Sequence, residues 1–259
     1  MKYSLLTLII IILTSLCLQA QGFWPDNKKA AIVLTYDDGL ASHRQIAIPQ
    51  LDGKGFKGTF FLYGQTLSAE DIPEWRIISR NGHELGNHSV YHPCAGRNEK
   101  TLPCSSLDDY SVETILREIS VMNRFLYAID GDTVRTFAYP CGNTTVSDGD
   151  FSEPLKMSGL ACFARGGGGD QLITDLRGLN FFKVPTLAAK TGESSERLID
   201  FVKNTVNNGS LGIIVFHGVG GDYLDVSAEV HQELLDYLDE NSPDIWVAPF
   251  IEVMKHIKK

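Results

Sequence analysis

Ala30-Ala31-Ile32-Val33-Leu34-Thr35-Tyr36-Asp37-Asp38-Gly39 is an apolar run that ends on two adjacent carboxylates and a glycine. Neighbouring side chains of a strand point to opposite faces, but where the strand stops and turns at a glycine both acids can reach one mouth. A solvated Asp-Gly turn is the plain alternative. Two further stretches answer the acids. Glu84-Leu85-Gly86-Asn87 runs into His88-Ser89-Val90-Tyr91-His92, and Leu211-Gly212-Ile213-Ile214-Val215-Phe216 runs into His217. One Asp with two His is a usual ligand set for a catalytic zinc-type ion with open coordination positions.

Between these stretches, short apolar runs alternate with segments of helical period, the pattern of βα units around a parallel sheet. Candidate strands are Ala31 to Thr35, Gly58 to Leu62, Glu84 to Asn87, Thr136 to Tyr139, Ala161 to Ala164, Phe181 to Val184, Leu211 to Phe216 and Ile245 to Ala248. Val112, Ile115, Leu116, Ile119, Met122 and Leu126 recur at helical spacing behind a capping Ser111, and further helices are expected over Ser195 to Asn207, Val226 to Leu238 and Phe250 to Ile257. That count fits an α/β fold of the distorted (β/α) barrel kind, with seven or eight strands. Sites of such barrels lie at the C-terminal ends of the strands, where Asp37, Asp38, His88, His92 and His217 all fall.

The 259 residues, 43% hydrophobic and 21% charged, suffice for one large core. Met1-Lys2, the apolar run from Leu5 to Leu13 and Leu18-Gln19-Ala20 have the layout of a cleavable secretory signal over residues 1–20. Residues 21–259 are then one exported catalytic domain, secreted or periplasmic, with no membrane span in the mature protein. A lipoprotein reading through Cys17 is weaker, because Leu16 before it is not small. The run is also short for a bilayer span. A net charge of −9 speaks against a nucleic-acid partner. Cys94, Cys104, Cys141 and Cys162 remain after the signal and allow three pairings. A Cys94 to Cys104 bridge, closing a short loop beside His92, is the favoured one. None has the CxxC spacing of a thiolate zinc or redox motif.

With these residues in hand, the chain resembles the NodB-like polysaccharide deacetylases, carbohydrate esterase family 4, from about Lys29 to Pro249. Thr35-Tyr36-Asp37-Asp38-Gly39 matches the first motif of that family, His88-Ser89-Val90-Tyr91-His92 the second and Leu211 through His217 the last. The resemblance implies Asp37 as catalytic base, Asp38, His88 and His92 as metal ligands, His217 as general acid and the Cys141 N–H as an oxyanion donor. It departs in the third motif. Many relatives hold the catalytic aspartate with an arginine two residues before the motif proline, but Phe137-Ala138-Tyr139-Pro140-Cys141-Gly142 has Ala138 there. Arg135 would sit about 10 Å away along an extended strand. Arg165, in Ala164-Arg165-Gly166-Gly167, is the better candidate to reach Asp37. The acid and tryptophan that orient the general-acid histidine in relatives also lack a clear match; Asp170, Asp222 and Trp246 are the stand-ins.

The expected function is metal-dependent hydrolysis of acetyl groups on a glycan, the N-acetyl of GlcNAc-containing polymers or the O-acetyl of xylan-type ones. Zinc is the expected ion, with cobalt, nickel or manganese as other occupants of such a ligand set. Tyr91, Tyr139 and Tyr223 are candidates to stack on sugars. Three other readings compete. A zinc peptidase is disfavoured by Ser89 in place of the basic Glu of His-Glu-x-x-His and by Pro93. A glycoside hydrolase on Asp37 and Asp38 leaves the histidines idle. A non-catalytic, metal-containing glycan-binding module of the cell envelope does not need Asp37 or His217.

Overall fold

The computed structural model describes residues 22–96 and 106–259. The proposed signal over 1–20 and Cys104 lie outside the described residues. Among the described residues, eight parallel strands form the main sheet: β1 (Ala30–Asp37), β2 (Thr59–Leu62), β3 (Glu84–Asn87), β4 (Thr136–Ala138), β7 (Phe163–Gly169), β8 (Val184–Ala188), β9 (Leu211–Phe216) and β10 (Ile245–Val247), with the hairpin β5 (Thr145–Val146) and β6 (Gly149–Asp150) inserted after β4. Seven of them close on themselves, because β9 pairs back onto β1 over Ala31 to Tyr36.

The eighth strand exists because β1 is long. Its first residues, Ala30 to Ile32, pair with β10, while Thr35 to Asp37 on the same edge pair with β2. β1 is therefore hydrogen-bonded on both edges, and all eight of its residues are buried. A strand enclosed in this way reads as a continuous apolar run rather than an alternating one.

Seven helices accompany the barrel among the described residues: α1 (Ile48–Gly53), α2 (Ile72–Arg80), α3 (Val112–Asp130), α4 (Ser152–Ser158), α5 (Ser195–Asn207), α6 (Ala228–Glu240) and α7 (Phe250–Ile257). Ser111 caps α3 by accepting from the Thr114 N–H, and Ser194 and Ser227 cap α5 and α6 in the same way. Each satisfies a donor that the first turn leaves without a partner. The cap at Ser227 moves the start of α6 two residues beyond the expected Val226. No described helix is long and apolar enough to cross a membrane.

Two strands differ from expectation. The segment read as Phe181 to Val184 is mostly a turn, with Lys183 N–H bonded to Asn180 O and Phe182 N–H to the Asn180 side chain, and the strand runs from Val184 to Ala188. Its phenylalanines pack beside the barrel, which is why they resemble a strand in sequence. The strand read as Ala161 to Ala164 begins at Phe163 and continues through the glycines to Gly169. That extension carries Arg165 into the barrel instead of onto a surface loop.

Candidate active site

β1 delivers two carboxylates to the barrel mouth. Asp37 is its last residue and Asp38 turns away from it with φ of 79°, while its N–H stays on the Phe61 carbonyl at 2.9 Å. The left-handed turn lets consecutive side chains converge rather than diverge. Ser89, His92 and Cys141 also hold positive φ. Non-glycine residues in that region cost of order 1–3 kcal/mol each and persist only where the surroundings enforce them.

Arg165, 1% exposed, reaches across the barrel from β7 and donates through Nη2 to Asp37 Oδ1. Its guanidinium lies 4.6 Å above the Phe61 ring. Burial pushes the Asp37 pKa up, but Arg165 and then His88, His217 and His92 outweigh it and hold the carboxyl below the ordinary carboxylate value. Arg135 is engaged elsewhere, forked onto Asp130 at the other end of its strand.

The histidine loop is held from beneath by α3. Glu118 accepts from the N–H groups of Val90 and Tyr91 at 2.9 Å each, and Asn87 bonds the Ile119 carbonyl and the Asn123 side chain. Asn87 Oδ1 accepts from Ser89 N–H, and Ser89 Oγ from His92 N–H. His88 Nδ1 lies 2.8 Å from the Ala138 carbonyl, which assigns the proton to Nδ1 and leaves the Nε2 lone pair facing the mouth. His92 Nε2 is 3.1 Å from that nitrogen. Asp38 Oδ1 stands 3.6 Å from His88 Nε2 and 3.5 Å from His92 Nε2, and it is buried without a hydrogen-bond partner among the described residues.

A buried carboxylate oxygen without a donor, facing two imidazole nitrogens, fits a divalent cation and little else. The three ligand atoms lie within 4.8 Å of one another. Tyr223 donates to the other oxygen, Asp38 Oδ2, and leaves Oδ1 to the cation position. Asp37 Oδ2 lies 3.7 Å from His88 Nε2, beside this group.

His217 follows β9 and brings its Nε2 to 3.9 Å from Asp38 Oδ2. Its Nδ1 is buried with no hydrogen-bond partner among the described residues, and none of the three stand-ins provides one. Asp222 accepts from the Ser42 N–H, Asp170 pairs with Arg197, and Trp246 packs against Trp24 and His256, on the strand that pairs with the beginning of β1.

The disulfide corrects the expected pairing: Cys94 is bonded to Cys141, not to Cys104. It ties the histidine loop to the turn after β4, and Cys94 Sγ sits 3.6 Å from His92 Nδ1. The two turns meet only because β3 and β4 are neighbours in the sheet, a relation absent from sequence spacing. Cys162 forms no disulfide with another described residue. Of the sugar-stacking candidates, Tyr91 and Tyr223 are about half exposed, whereas Tyr139 is buried against Phe137 and Phe151 and is withdrawn from that role. Glu118, Asn87 and the Asp38 contact of Tyr223 were not anticipated. Glu118 carried a faint signal, a charge on the apolar side of α3 next to Ile119.

The structure is thus a closed barrel with an Asp-His-His group, able to hold a metal ion, at the C-terminal ends of its strands. The family model described as polysaccharide deacetylase matches residues 25–152, which hold both the acidic and the histidine motifs. Over that stretch the chain matches the polysaccharide deacetylase family. The gellan lyase of a Bacillus species is 30% identical over 122 residues, 47% of this chain and 4% of that protein, so the match spans a small fraction of its length.

Solved structures agree in fold. A family 4 acetyl xylan esterase from Clostridium thermocellum, in complex with a cobalt ion, has TM-score 0.56 at 21% identity over 87% of this chain and 90% of that one. A peptidoglycan deacetylase from Bacillus subtilis has TM-score 0.57 at 20% identity, covering 91% and 94%. A carbohydrate esterase family 4 pseudoenzyme from Bacillus anthracis has TM-score 0.55 at 21% identity, covering 88% and 66%.

Proposed function

We propose that this protein is a metal-dependent deacetylase of an acetylated glycan, acting on the N-acetyl groups of GlcNAc-containing polymers or the O-acetyl groups of xylan-type ones. The observation that carries this reading is the orphaned Asp38 Oδ1 facing His88 Nε2 and His92 Nε2, with the Arg165-held carboxylate of Asp37 alongside. A divalent ion, zinc in the first place, supplies Lewis acidity there to the acetyl carbonyl and to a water molecule.

Asp37 is the base in this scheme. Arg165 keeps it ionised and limits its rotation, so that Oδ2 faces the cation position and can take the proton of the attacking water. The N–H of Cys141, in the turn pinned by the disulfide, is the proposed donor to the oxyanion that develops on the acetyl oxygen. His217 lies across Asp38 from the base and returns a proton to the departing amine or alkoxide. An amine needs that proton more, so removal of His217 is expected to harm an amide substrate more than an ester. The likeness to a pseudoenzyme makes activity the first question, and both Asp37 and His217, which a structural ion would not need, are retained at the mouth.

Export to an oxidising compartment is part of the proposal, supported by the signal-like residues 1–20 and by the Cys94–Cys141 bridge. Acetate release from acetylated xylan, chitooligosaccharides and peptidoglycan, with and without zinc and with Asp37→Ala alongside, tests the reading. Zinc-dependent release that the variant loses supports it. A folded, zinc-loaded protein that releases no acetate from any of them would favour the glycan-binding module instead.

A further inference from the structure

His43 is fully buried six residues after Asp37, and its Nε2 lies 2.7 Å from the backbone carbonyl of His217. It opens a π-helical turn, His43–Ala47, in which Ile48 N–H reaches back to the His43 carbonyl. Such wide turns are uncommon and re-aim a side chain at the cost of regular helix geometry, which is why they gather at functional sites. The ring is set against Tyr36 at 5.6 Å and Phe60 at 5.7 Å. Tyr36 is itself fixed by its hydroxyl on His231 Nε2.

Ser42 adds two bonds to the same loop, accepting from Val219 N–H through its hydroxyl and donating its N–H to Asp222. Ser42 and His43 thus tie the segment after β9 at positions 217, 219 and 222. We propose that His43 is the positioning residue of His217: it grips the His217 carbonyl and orients through the backbone an imidazole whose own Nδ1 has no partner. The proposal rests on the deacetylase reading for what His217 then does, but not for the contact itself.

Two observations favour a directed role over simple packing. Burial pushes the His43 pKa down to about 4, so the ring is neutral and has one N–H to give. Donation to His217 uses that N–H at Nε2 and leaves Nδ1 as a buried acceptor, which has no partner among the described residues. An apolar side chain would avoid that loss; a histidine at this position therefore works against stability unless its one hydrogen bond matters.

The test compares the zinc-loaded wild type with His43→Gln, which keeps a donor at similar reach, and His43→Leu, which removes it. Small misplacements of a reacting group cost up to about a hundredfold. His43→Leu is expected to lower kcat on an N-acetyl substrate by about 10- to 100-fold with KM within about twofold, and to shift the His217 ring signals in 1H–13C spectra. His43→Gln should restore both. Wild-type kcat and unchanged His217 signals in His43→Leu would overturn the proposal, as would equal impairment of the two variants at equal Tm. If His43→Leu does not fold, a long-range 1H–15N spectrum of the wild type decides: the Nε2–H tautomer of His43 is expected, and the Nδ1–H tautomer overturns the proposal. A wild type that releases no acetate while its His217 signals still respond to the Leu and Gln variants would refute the deacetylase reading and leave this contact standing.

Discussion

Arg165 and Asp37 meet inside the barrel 128 residues apart in sequence, guanidinium on carboxylate, with both side chains nearly excluded from solvent. Removing one partner of a buried pair leaves an uncompensated charge and typically costs about 3–5 kcal/mol. Arg165→Ala should therefore destabilise the fold by that order in urea titrations. It should also cut acetate release by about a hundredfold or more, since Asp37 loses its orientation and the strongest of the charges that favour its ionised form. Unchanged turnover in a folded variant would show that Asp37 does not depend on this arginine.

Tyr223 donates to Asp38 Oδ2 from the loop that follows His217. Groups that orient a metal ligand in this way are typically worth about 10- to 100-fold in metal affinity. Zinc competition against a chromophoric chelator should show that loss in Tyr223→Phe, while its Tm without metal stays close to wild type. Equal zinc affinity would mean that the hydroxyl does not govern how Asp38 binds.

The Cys94–Cys141 bridge closes 47 residues and holds the loop that carries His92. Its removal in Cys94→Ser/Cys141→Ser is expected to cost about 2–4 kcal/mol of stability and to weaken zinc binding, because His92 loses its anchor. Urea titration and zinc competition on the double variant measure the two effects separately. A stability loss with unaltered zinc affinity would confine the bridge to a structural part.

His231 is buried beneath the mouth between Tyr36 and Gln50, and burial, reinforced by nearby His43, pushes its pKa from 6.5 to about 3. The unfolded chain takes up that proton near pH 6.5 and the folded one refuses it until about pH 3. The stability contributed by the neutral ring is thus complete above pH 6.5 and lost as pH falls through that window, at about 1.4 kcal/mol per pH unit. His43 acts in the same direction, down to about pH 4. Urea titrations between pH 7 and 5 should show a shallower slope for His231→Gln than for the wild type; parallel slopes would remove His231 as a source of acid sensitivity.

How far the sequence reaches is clearest in β1. An unbroken apolar run marks a strand enclosed on both sides, and the acids at its end, like the histidines after β3 and β9, are legible because strand ends and motif spacing are local properties. The helices α3 and α5 are legible for the same reason, through period and serine caps, and α7 through its period alone. The glycines after Arg165 read instead as a loop, since their pairing with β8 depends on a neighbouring strand and not on their own preference.

What the sequence by itself determined was the alternation of strands and helices, six of the eight main-sheet strands in their places, and the Asp-His-His-His set at the mouth. The tertiary structure decided which groups serve that set: Arg165 and not Arg135 on Asp37, Cys141 and not Cys104 on Cys94, Tyr223 on Asp38, and His43 rather than a carboxylate behind His217. Each of these is a contact between segments brought together only by closure of the sheet. Their partners are chosen by strand order and by the direction in which a buried side chain can point, and a linear spacing carries neither.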